Sequence, residues 1–264
     1  MKFYFDCGLP RSGSTLLTAL LNQNPDIHAG VSSPVFELMY YSDDTLSNGQ
    51  QAQSFPKPDV FRHIVRSNII NYYSDRDEPI LIDKCRAWPA HIDILKKYVT
   101  DDPKIICTVR HPLDILASFI TLFHKDGTLN FIDKAMMEKK IPINDNNRCH
   151  YMMHPGGIVW ESLNALATAY RQNQEHYIHL IQYDDLVSDP EKIMQGIHWY
   201  LKLKPYKYDF NNITAKDREK DSEVYGLPTM HEVRKEVKKI SKPYTEVLCT
   251  EVINKYINYD FWNH

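Results

Sequence analysis

Short apolar runs alternate with longer amphipathic stretches along most of the chain. The apolar runs predict strands at 3–5, 79–84, 104–109 and 178–182. These runs are continuous rather than alternating, as in strands that are buried on both faces of a parallel sheet. We therefore predict an α/β protein in which helices flank a central, mainly parallel sheet in three layers.

The amphipathic stretches predict the helices between these strands. One helix follows the first strand at 16–21, and a Ser-Ser-Pro sequence at 32–34 begins another that covers 35–41. The remaining predicted helices cover 59–73, 91–99, 113–123, 161–177, 190–201 and 244–257. Residues 42–56 are polar and predict a surface loop, and residues 205–242 predict irregular structure.

The length of the chain favours one domain over residues 1–264. A chain of this size buries a sizeable core, and its hydrophobic fraction of 43% is ordinary for a globular protein. Residues 125–157 are rich in polar and loop-forming types and are too long for a simple connection. We predict that they form a lid or an acceptor-binding insertion.

The sequence Gly8-Leu9-Pro10-Arg11-Ser12-Gly13-Ser14-Thr15 joins the first strand to the first helix. Turns of this kind bind phosphate groups, because backbone N–H groups and the helix dipole point at one anion. The spacing fits G-x4-G-K-[ST], except that Ser14 replaces the lysine of nucleoside-triphosphate enzymes. Arg11 lies inside the loop instead, and its planar fork suits a terminal phosphate or sulfate. The predicted anion site consists of Arg11, Ser12, Gly13, Ser14 and Thr15.

Charge and composition exclude several classes of protein. The 31 basic and 34 acidic residues give a net charge of −3, which argues against a general nucleic-acid-binding protein. The five cysteines are widely spaced and form no Cys-x-x-Cys pair, so we expect no structural zinc site. No run approaches the roughly 18 apolar residues of a membrane span. We therefore expect a cytoplasmic protein with no membrane partner.

The sequence Pro-Arg-Ser-Gly-Ser-Thr-Leu-Leu at 10–17 resembles the 5′-phosphosulfate loop of sulfotransferases that use 3′-phosphoadenosine 5′-phosphosulfate (PAPS). The nearest pattern is that of the tyrosylprotein sulfotransferases and their bacterial relatives. The resemblance implies a P-loop-type fold, PAPS as co-substrate and no metal. It also implies transfer of a sulfuryl group to a hydroxyl or amine acceptor, which would be a small molecule, a sugar or a peptide.

A second segment, from Arg110 to Ser118, resembles the 3′-phosphate site of the same family. Arg110 follows the predicted strand 104–109, and Ser118 lies in the helix that comes next. By this resemblance Arg110 pairs with the 3′-phosphate, and Ser118 adds a hydroxyl donor. The alternative for Arg110 is an ion pair with Asp114.

Lys84 ends a predicted strand and aligns with the family lysine that contacts the transferring sulfuryl group or the bridging oxygen. A positive charge at that place would stabilise charge that develops in the transition state. The alternative for Lys84 is a salt bridge to Asp83 or Asp93. Asp83 also follows an apolar strand, as the magnesium ligand of a Walker B motif does, but the loop lacks the lysine that accompanies such a site.

Two weaker resemblances complete the predicted donor site. Tyr183 begins a Tyr-Asp-Asp-Leu segment that is similar to the Tyr-Glu-Asp-Leu segment of sulfotransferases, and it would contact the donor nucleotide. Lys242 resembles the tail lysine of the tyrosylprotein enzymes, which reaches the donor. The alternative for Tyr183 is packing in the core. A run of charge predicts a solvated face and comprises Arg234, Lys235, Lys238 and Lys239.

The sequence departs from the tyrosylprotein enzymes at the catalytic base. The glutamate of those enzymes aligns with Ser32, and the sequence Val31-Ser32-Ser33-Pro34 contains no acid. The candidate bases are Glu37, His28, His63 and His91, and the choice among them is open.

Two alternatives to a sulfotransferase remain. One is a P-loop nucleotide kinase, which Ser14 disfavours, and the other is a non-catalytic nucleotide-binding protein that keeps the donor pocket.

Overall fold

The computed structural model describes residues 1–127, 129–239 and 241–263 of the chain. The strands in this part are β1 (Lys2–Asp6), β2 (Ile27–Ala29), β3 (Ile80–Lys84), β4 (Ile105–Val109) and β5 (Ile178–Gln182). They form one sheet in the order β2-β3-β1-β4-β5, and each neighbouring pair is parallel. The predicted α/β architecture with a central parallel sheet is confirmed.

Helices connect the strands and cover the sheet. In chain order they are α1 (Ser14–Leu21), α2 (Val35–Asn48), α3 (Gln50–Ser54), α4 (Pro58–Tyr72), α5 (Ile92–Tyr98), α6 (Pro112–Asp126), α7 (Phe131–Glu138), α8 (Asp145–Met152), α9 (Ile158–Arg171), α10 (Tyr183–Ser188), α11 (Pro190–Leu201), α12 (Asp221–Tyr225) and α13 (Thr250–Tyr256). Short 3₁₀ helices cover Trp88–His91, Glu175–Tyr177, Tyr244–Glu246 and Phe261–Asn263.

The two faces of the sheet bury separate hydrophobic clusters. Side chains alternate between the faces along a strand, so Phe5 of β1 enters the larger cluster and Tyr4 enters the smaller one. Phe119 of α6 packs in the larger cluster, and Leu17 of α1 packs in the smaller. Helices therefore lie on both sides of the sheet, which confirms the predicted three layers.

The structure differs from the sequence predictions at residues 42–56, which are largely helical. Helix α2 continues to Asn48 and α3 follows it. The stretch is polar, but tertiary contacts hold it: the carboxylate of Asp43 accepts hydrogen bonds from Lys97 Nζ at 2.8 Å and from the Tyr98 hydroxyl. Strand β2 was not predicted, because it has only three residues and a polar His28 at its centre.

Helices α7 and α8 lie within the segment 125–157. Met136 of α7 and Met152 of α8 are fully buried in the larger cluster. Arg148 donates two hydrogen bonds to the carboxylate of Asp133, from Nε at 2.8 Å and from Nη2 at 2.9 Å. These contacts tie the segment to the core. Its role as a lid or acceptor-binding insertion stays a prediction, as does the single domain.

The carboxyl ends of the strands bring the predicted site residues to one edge of the sheet. The loop 8–15 follows β1, and Lys84 ends β3 as the register partner of Asp6. Arg110 directly follows β4, and Tyr183 directly follows β5. Ligands of open parallel sheets bind beyond the carboxyl ends of the strands, so a ligand-binding site is expected at this edge.

Asp83 anchors the end of β3 to its surroundings. Its buried carboxylate accepts hydrogen bonds from Tyr73 Oη at 2.7 Å, from Trp88 Nε1 at 2.7 Å and from the Ser33 hydroxyl. Burial raises the pKa of Asp83, and these three hydrogen bonds oppose that effect. These contacts indicate that Asp83 is a structural residue of the core and not a magnesium ligand.

Candidate functional site

The loop between β1 and α1 is packed tightly against the end of β4. A Cβ atom at Gly8 would lie 2.2 Å from Thr108 Oγ1, so only glycine fits there. The hydroxyl of Ser12 is fully buried and lies 2.7 Å from Thr108 Oγ1 and 2.5 Å from the carbonyl oxygen of Leu9. The Ser12 side chain therefore holds the loop in place, and its predicted contact with the donor stays a prediction.

Helix α1 begins at Ser14, at the end of this loop, and no side chain in the described part of the chain caps its N-terminus. Gly13 occupies the N-cap position with a φ of 87°, in the left-handed region that favours glycine. The first N–H groups of a helix lack intrahelical partners and carry the positive end of the helix dipole. With Ser14 and Thr15 at its first two positions, the helix end suits an anion.

A cleft of about 300 Å³ opens beside this helix end. It brings together most of the predicted site residues, namely Arg11, Gly13, Ser14, Thr15, Arg110, Ser118, Tyr183 and Lys242. Two predicted residues are not among the described residues that line it. Ser12 is buried within the loop, and Lys84 lies at the end of β3 and is only partly exposed.

Arg11 connects three parts of the chain at the cleft. Its backbone has a φ of 59°, which is uncommon for a residue other than glycine. Its Nε donates to Ser118 Oγ at 3.2 Å, and its Nη1 donates to the carbonyl oxygen of Met230. Burial lowers the pKa of Arg11 to about 10, and the neighbouring Arg110 acts in the same direction. The side chain therefore keeps its positive charge at neutral pH.

Arg110 offers an unused hydrogen-bond donor in the cleft. Its Nη1 donates to the backbone oxygen of Arg11 at 3.1 Å, and its guanidinium lies 4.4 Å from the centre of the Tyr183 ring. Its Nε is buried and has no hydrogen-bond partner among the described residues. Buried donors in native proteins are normally paired. An anion bound in the cleft would supply the acceptor.

Lys84 lies at the root of the loop, beside Asp6. Burial lowers the pKa of Lys84, and the negative charges of Asp6 and Glu219 oppose this. Burial raises the pKa of Asp6 to about 6, and the nearby Lys84 opposes that shift. Asp6 also accepts a hydrogen bond from the N–H of Gly8 at 3.3 Å. The two charged residues are thus neighbours at the ends of β1 and β3, just before the loop.

We expect Asp6 to make the protein less stable as the pH rises. Its folded pKa of about 6 exceeds the unfolded value of 3.8, so the stabilising contribution is full below pH 4 and is lost as the pH rises through 6. Between pH 4 and pH 7.5, the free energy of unfolding of the wild type should fall by up to roughly 3 kcal/mol relative to that of Asp6→Asn. Urea unfolding of both proteins at these pH values measures the difference, and a constant difference would contradict the prediction.

None of the candidate bases from the sequence is among the described residues that line the cleft. Glu37 and His63 are exposed on α2 and α4. His91 packs with its ring centre 4.6 Å from that of Phe36. His28 is buried, and it lines a second cleft together with Tyr72 and Tyr73. The catalytic base is therefore not identified by this set.

The cleft also contains residues that the sequence analysis did not select. Arg86 lies two positions beyond β3 and lines it. Arg234 and Lys238 line it as well, although their run of charge predicted a solvated face. His231 is a further lining residue. Arg86 could have been predicted from its place just beyond a strand end. Arg234, Lys238 and His231 lie in the long irregular segment 205–242, where no periodic pattern predicts which residues face a site.

The fold and this site define an α/β protein of the P-loop type. A family model with the description "Sulfotransferase family" matches residues 5–207. The match covers well over half of the chain, so the chain belongs to the sulfotransferase family. The comparison with curated proteins gave no match.

Solved sulfotransferase structures share the fold at low sequence identity. The sulfotransferase domain of the olefin synthase from Synechococcus PCC 7002 is 17% identical, with a TM-score of 0.59 over 100% of this chain and 95% of that chain. A sulfotransferase domain from the curacin biosynthetic pathway is 13% identical, with a TM-score of 0.55 and 96% coverage of both chains. The sulfotransferase STF9 from Mycobacterium avium is 12% identical, with a TM-score of 0.52 over 97% of this chain and 76% of that chain.

Each of the described helices is too short or too polar to cross a bilayer.

Proposed function

We propose that this protein transfers a sulfuryl group from PAPS to a hydroxyl or amine acceptor and releases adenosine 3′,5′-bisphosphate. The observation that carries the proposal is Arg110, which lines the cleft and whose buried Nε has no hydrogen-bond partner among the described residues. The N-terminus of α1, which no described side chain caps, borders the same cleft. A donor with a phosphosulfate at one end and a 3′-phosphate at the other needs two anion sites, and the cleft offers both.

The proposed donor-binding residues form two anion sites, one for the phosphosulfate and one for the 3′-phosphate. The helix end with Ser14 and Thr15 suits the phosphosulfate. Arg110 is stacked on Tyr183 and suits the 3′-phosphate, because a guanidinium held by an aromatic ring keeps its fork oriented. Ser118 and Lys242 line the same cleft and add a hydroxyl and a cation. No metal is required in this scheme, since the cations of the protein supply the positive charge.

The acceptor in this proposal is a small molecule, a sugar or a peptide that carries a free hydroxyl or amine. Residues 125–157 are the segment that we assign to acceptor binding. No contact with nucleic acid or with a membrane is proposed.

Calorimetry followed by an acceptor screen tests the function. We expect adenosine 3′,5′-bisphosphate to bind and ATP with Mg²⁺ to give little or no heat, because Ser14 occupies the position of the P-loop lysine. Radiolabelled PAPS should then transfer label to one class of alcohol, phenol, sugar, amine or peptide. Preferential binding of ATP with Mg²⁺ would favour a nucleotide kinase. Tight bisphosphate binding without transfer to any class would favour a non-catalytic binding protein.

Removing either arginine should weaken the binding of adenosine 3′,5′-bisphosphate. Arg11→Ala and Arg110→Ala each remove a charge-assisted hydrogen bond, and we expect a loss of roughly 2–3 kcal/mol for each. Calorimetric titration measures the affinity, and circular dichroism confirms folding. Arg62→Ala, on the exposed surface of α4, is the matched control and should bind as the wild type does. Unchanged affinity in both cleft variants would refute the donor site.

A further inference from the structure

A turn after α12 brings His231 to the cleft, beside the carboxylates of Asp221 and Glu219. Asp221 begins α12, Gly226 ends it in the left-handed region with a φ of 65°, and the chain then returns. Leu227 and Met230 are buried in the larger hydrophobic cluster and fix the turn to the core. His231 follows Met230 directly and lines the cleft.

Asp221 holds the imidazole of His231 in one orientation. Its Oδ1 lies 2.6 Å from Nδ1 of the ring, and its Oδ2 accepts the backbone N–H of His231 at 2.8 Å. Glu219 Oε2 lies 3.6 Å from the same Nδ1. Nδ1 therefore carries the hydrogen toward a carboxylate, which leaves Nε2 without one and able to accept a proton. No described residue forms a hydrogen bond with Nε2.

The chain around His231 is also joined to the phosphate-binding loop. The carbonyl oxygen of Met230 accepts a hydrogen bond from the Arg11 guanidinium. Thr229 is held by Asp126 at the end of α6, through its N–H at 3.2 Å and its hydroxyl at 3.0 Å. The imidazole is thus positioned from the loop, from α6 and from Asp221 together.

Glu219 links His231 to the end of β3. Burial lowers the pKa of Lys84 and of Arg86, and the negative charge of Glu219 opposes both shifts. Glu219 also accepts a hydrogen bond from Tyr225 Oη at 3.2 Å. His231 and Arg86 line the same cleft, and Arg86 follows Lys84 by two positions in the chain. The base that we propose below therefore faces the cleft in which the proposed transfer of the sulfuryl group takes place.

We propose that His231 is the general base of the transfer and that Asp221 is its positioning residue. This inference rests on the proposed function, and it fills the role of the family glutamate, whose aligned position is occupied by Ser32. Nε2 of His231 takes the proton from the acceptor hydroxyl while the acceptor oxygen forms its bond to sulfur. The bond from sulfur to the 5′-phosphate oxygen breaks, and adenosine 3′,5′-bisphosphate leaves with that electron pair. Asp221 and Glu219 then stabilise the imidazolium.

Substitution of His231 should lower turnover without weakening nucleotide binding. We expect His231→Gln to reduce kcat about 10²-fold, the lower end of the range for a general base. Asp221→Asn should lower kcat as well, because the carboxylate no longer selects the tautomer. The affinity for adenosine 3′,5′-bisphosphate should change less than threefold in both variants. His176→Gln, at an exposed histidine before β5, is the matched control.

Two further readouts separate a base from a structural residue. The ring of His231 faces the carboxylates of Asp221 and Glu219 and the ring of Tyr225. The wild-type kcat should rise with pH to a plateau, as for a reaction that needs an unprotonated general base, and His231→Gln should lack this rise. Added imidazole should restore part of the activity of His231→Ala. A full wild-type rate or an unchanged pH profile in His231→Gln would overturn the inference, as would failure of imidazole to restore His231→Ala.

Controls with the wild type separate this inference from the proposed function. If the wild type neither binds the bisphosphate nor transfers sulfate from PAPS, the proposed function fails and the role of His231 fails with it. If the wild type is active and His231→Gln equals it, only the role of His231 fails. A chelator could also abolish the activity of the wild type, and a divalent cation could restore it. That result would indicate a metal site formed by Glu219, Asp221 and His231 and would overturn the role of His231 as a base. Their ligand atoms lie within 4.8 Å of one another.

Discussion

Lys84→Ala should lower kcat and kcat/KM together, by about 10²–10³, as expected for a preorganised group that stabilises transition-state charge. Lys84 ends β3 beside Asp6, and the loop that we assign to the phosphosulfate begins two residues after Asp6. A cation at this place acts on charge that develops during transfer. Adenosine 3′,5′-bisphosphate lacks the sulfuryl group, so its affinity should stay within threefold of the wild type.

Turnover with saturating PAPS and a calorimetric titration with the product together test the role of Lys84. Lys192→Ala, at an exposed position of α11, is the control for loss of a lysine and should behave as the wild type. If product affinity falls as steeply as turnover, Lys84 is a binding residue. If turnover is unchanged in Lys84→Ala but falls in Arg86→Ala, Arg86 is the cation that acts on the transferring group, since it lines the cleft and Lys84 does not.

The donor side of the site could be predicted from the sequence because its residues follow strands. A continuous apolar run marks a buried strand, and the end of such a run marks the edge where ligands bind. Arg110 and Tyr183 directly follow β4 and β5, so their convergence with the loop 8–15 follows from the parallel sheet alone. Short motifs within these segments then gave the resemblance to sulfotransferases.

The proposed base could not be predicted in this way, because its position depends on long-range contacts. His231 lies in the segment 205–242, whose described residues form no strand and one short helix, α12. It reaches the cleft because Asp221 holds its ring and Arg11 holds the neighbouring Met230. Neither contact leaves a periodic pattern in the sequence. The candidates chosen from the sequence were Glu37, His28, His63 and His91, and none of them is among the described residues that line the cleft.

The same reasoning explains why helix α2 was predicted too short. Local composition between 42 and 48 is polar, and propensity alone gives no reason to extend a helix there. The structure adds packing of α2 along α4 and the contacts of Asp43 with Lys97 and Tyr98. Tertiary contacts of this kind supply most of the stability of a helix in a folded protein.

Trp88→Ala should destabilise the protein by about 3–5 kcal/mol, the usual cost of removing a buried tryptophan side chain. Trp88 is fully buried, and its ring centre lies 5.1 Å from that of Phe5 and 5.5 Å from that of Phe36. Its indole N–H donates to Asp83 at 2.7 Å. The substitution would thus create a cavity and also remove one partner of a buried carboxylate.

Urea unfolding of Trp88→Ala, with two comparison variants, measures these contributions. Trp88→Phe keeps most of the ring volume and loses chiefly the hydrogen bond to Asp83, so it should cost about 1–3 kcal/mol. Trp199→Ala removes a side chain that is 83% exposed and should change stability by less than about 0.5 kcal/mol. A cost below about 1 kcal/mol for Trp88→Ala would show that Asp83 and the end of β3 hold their place without Trp88. The position of Lys84 would then depend on its pairing with β1 rather than on this buried network.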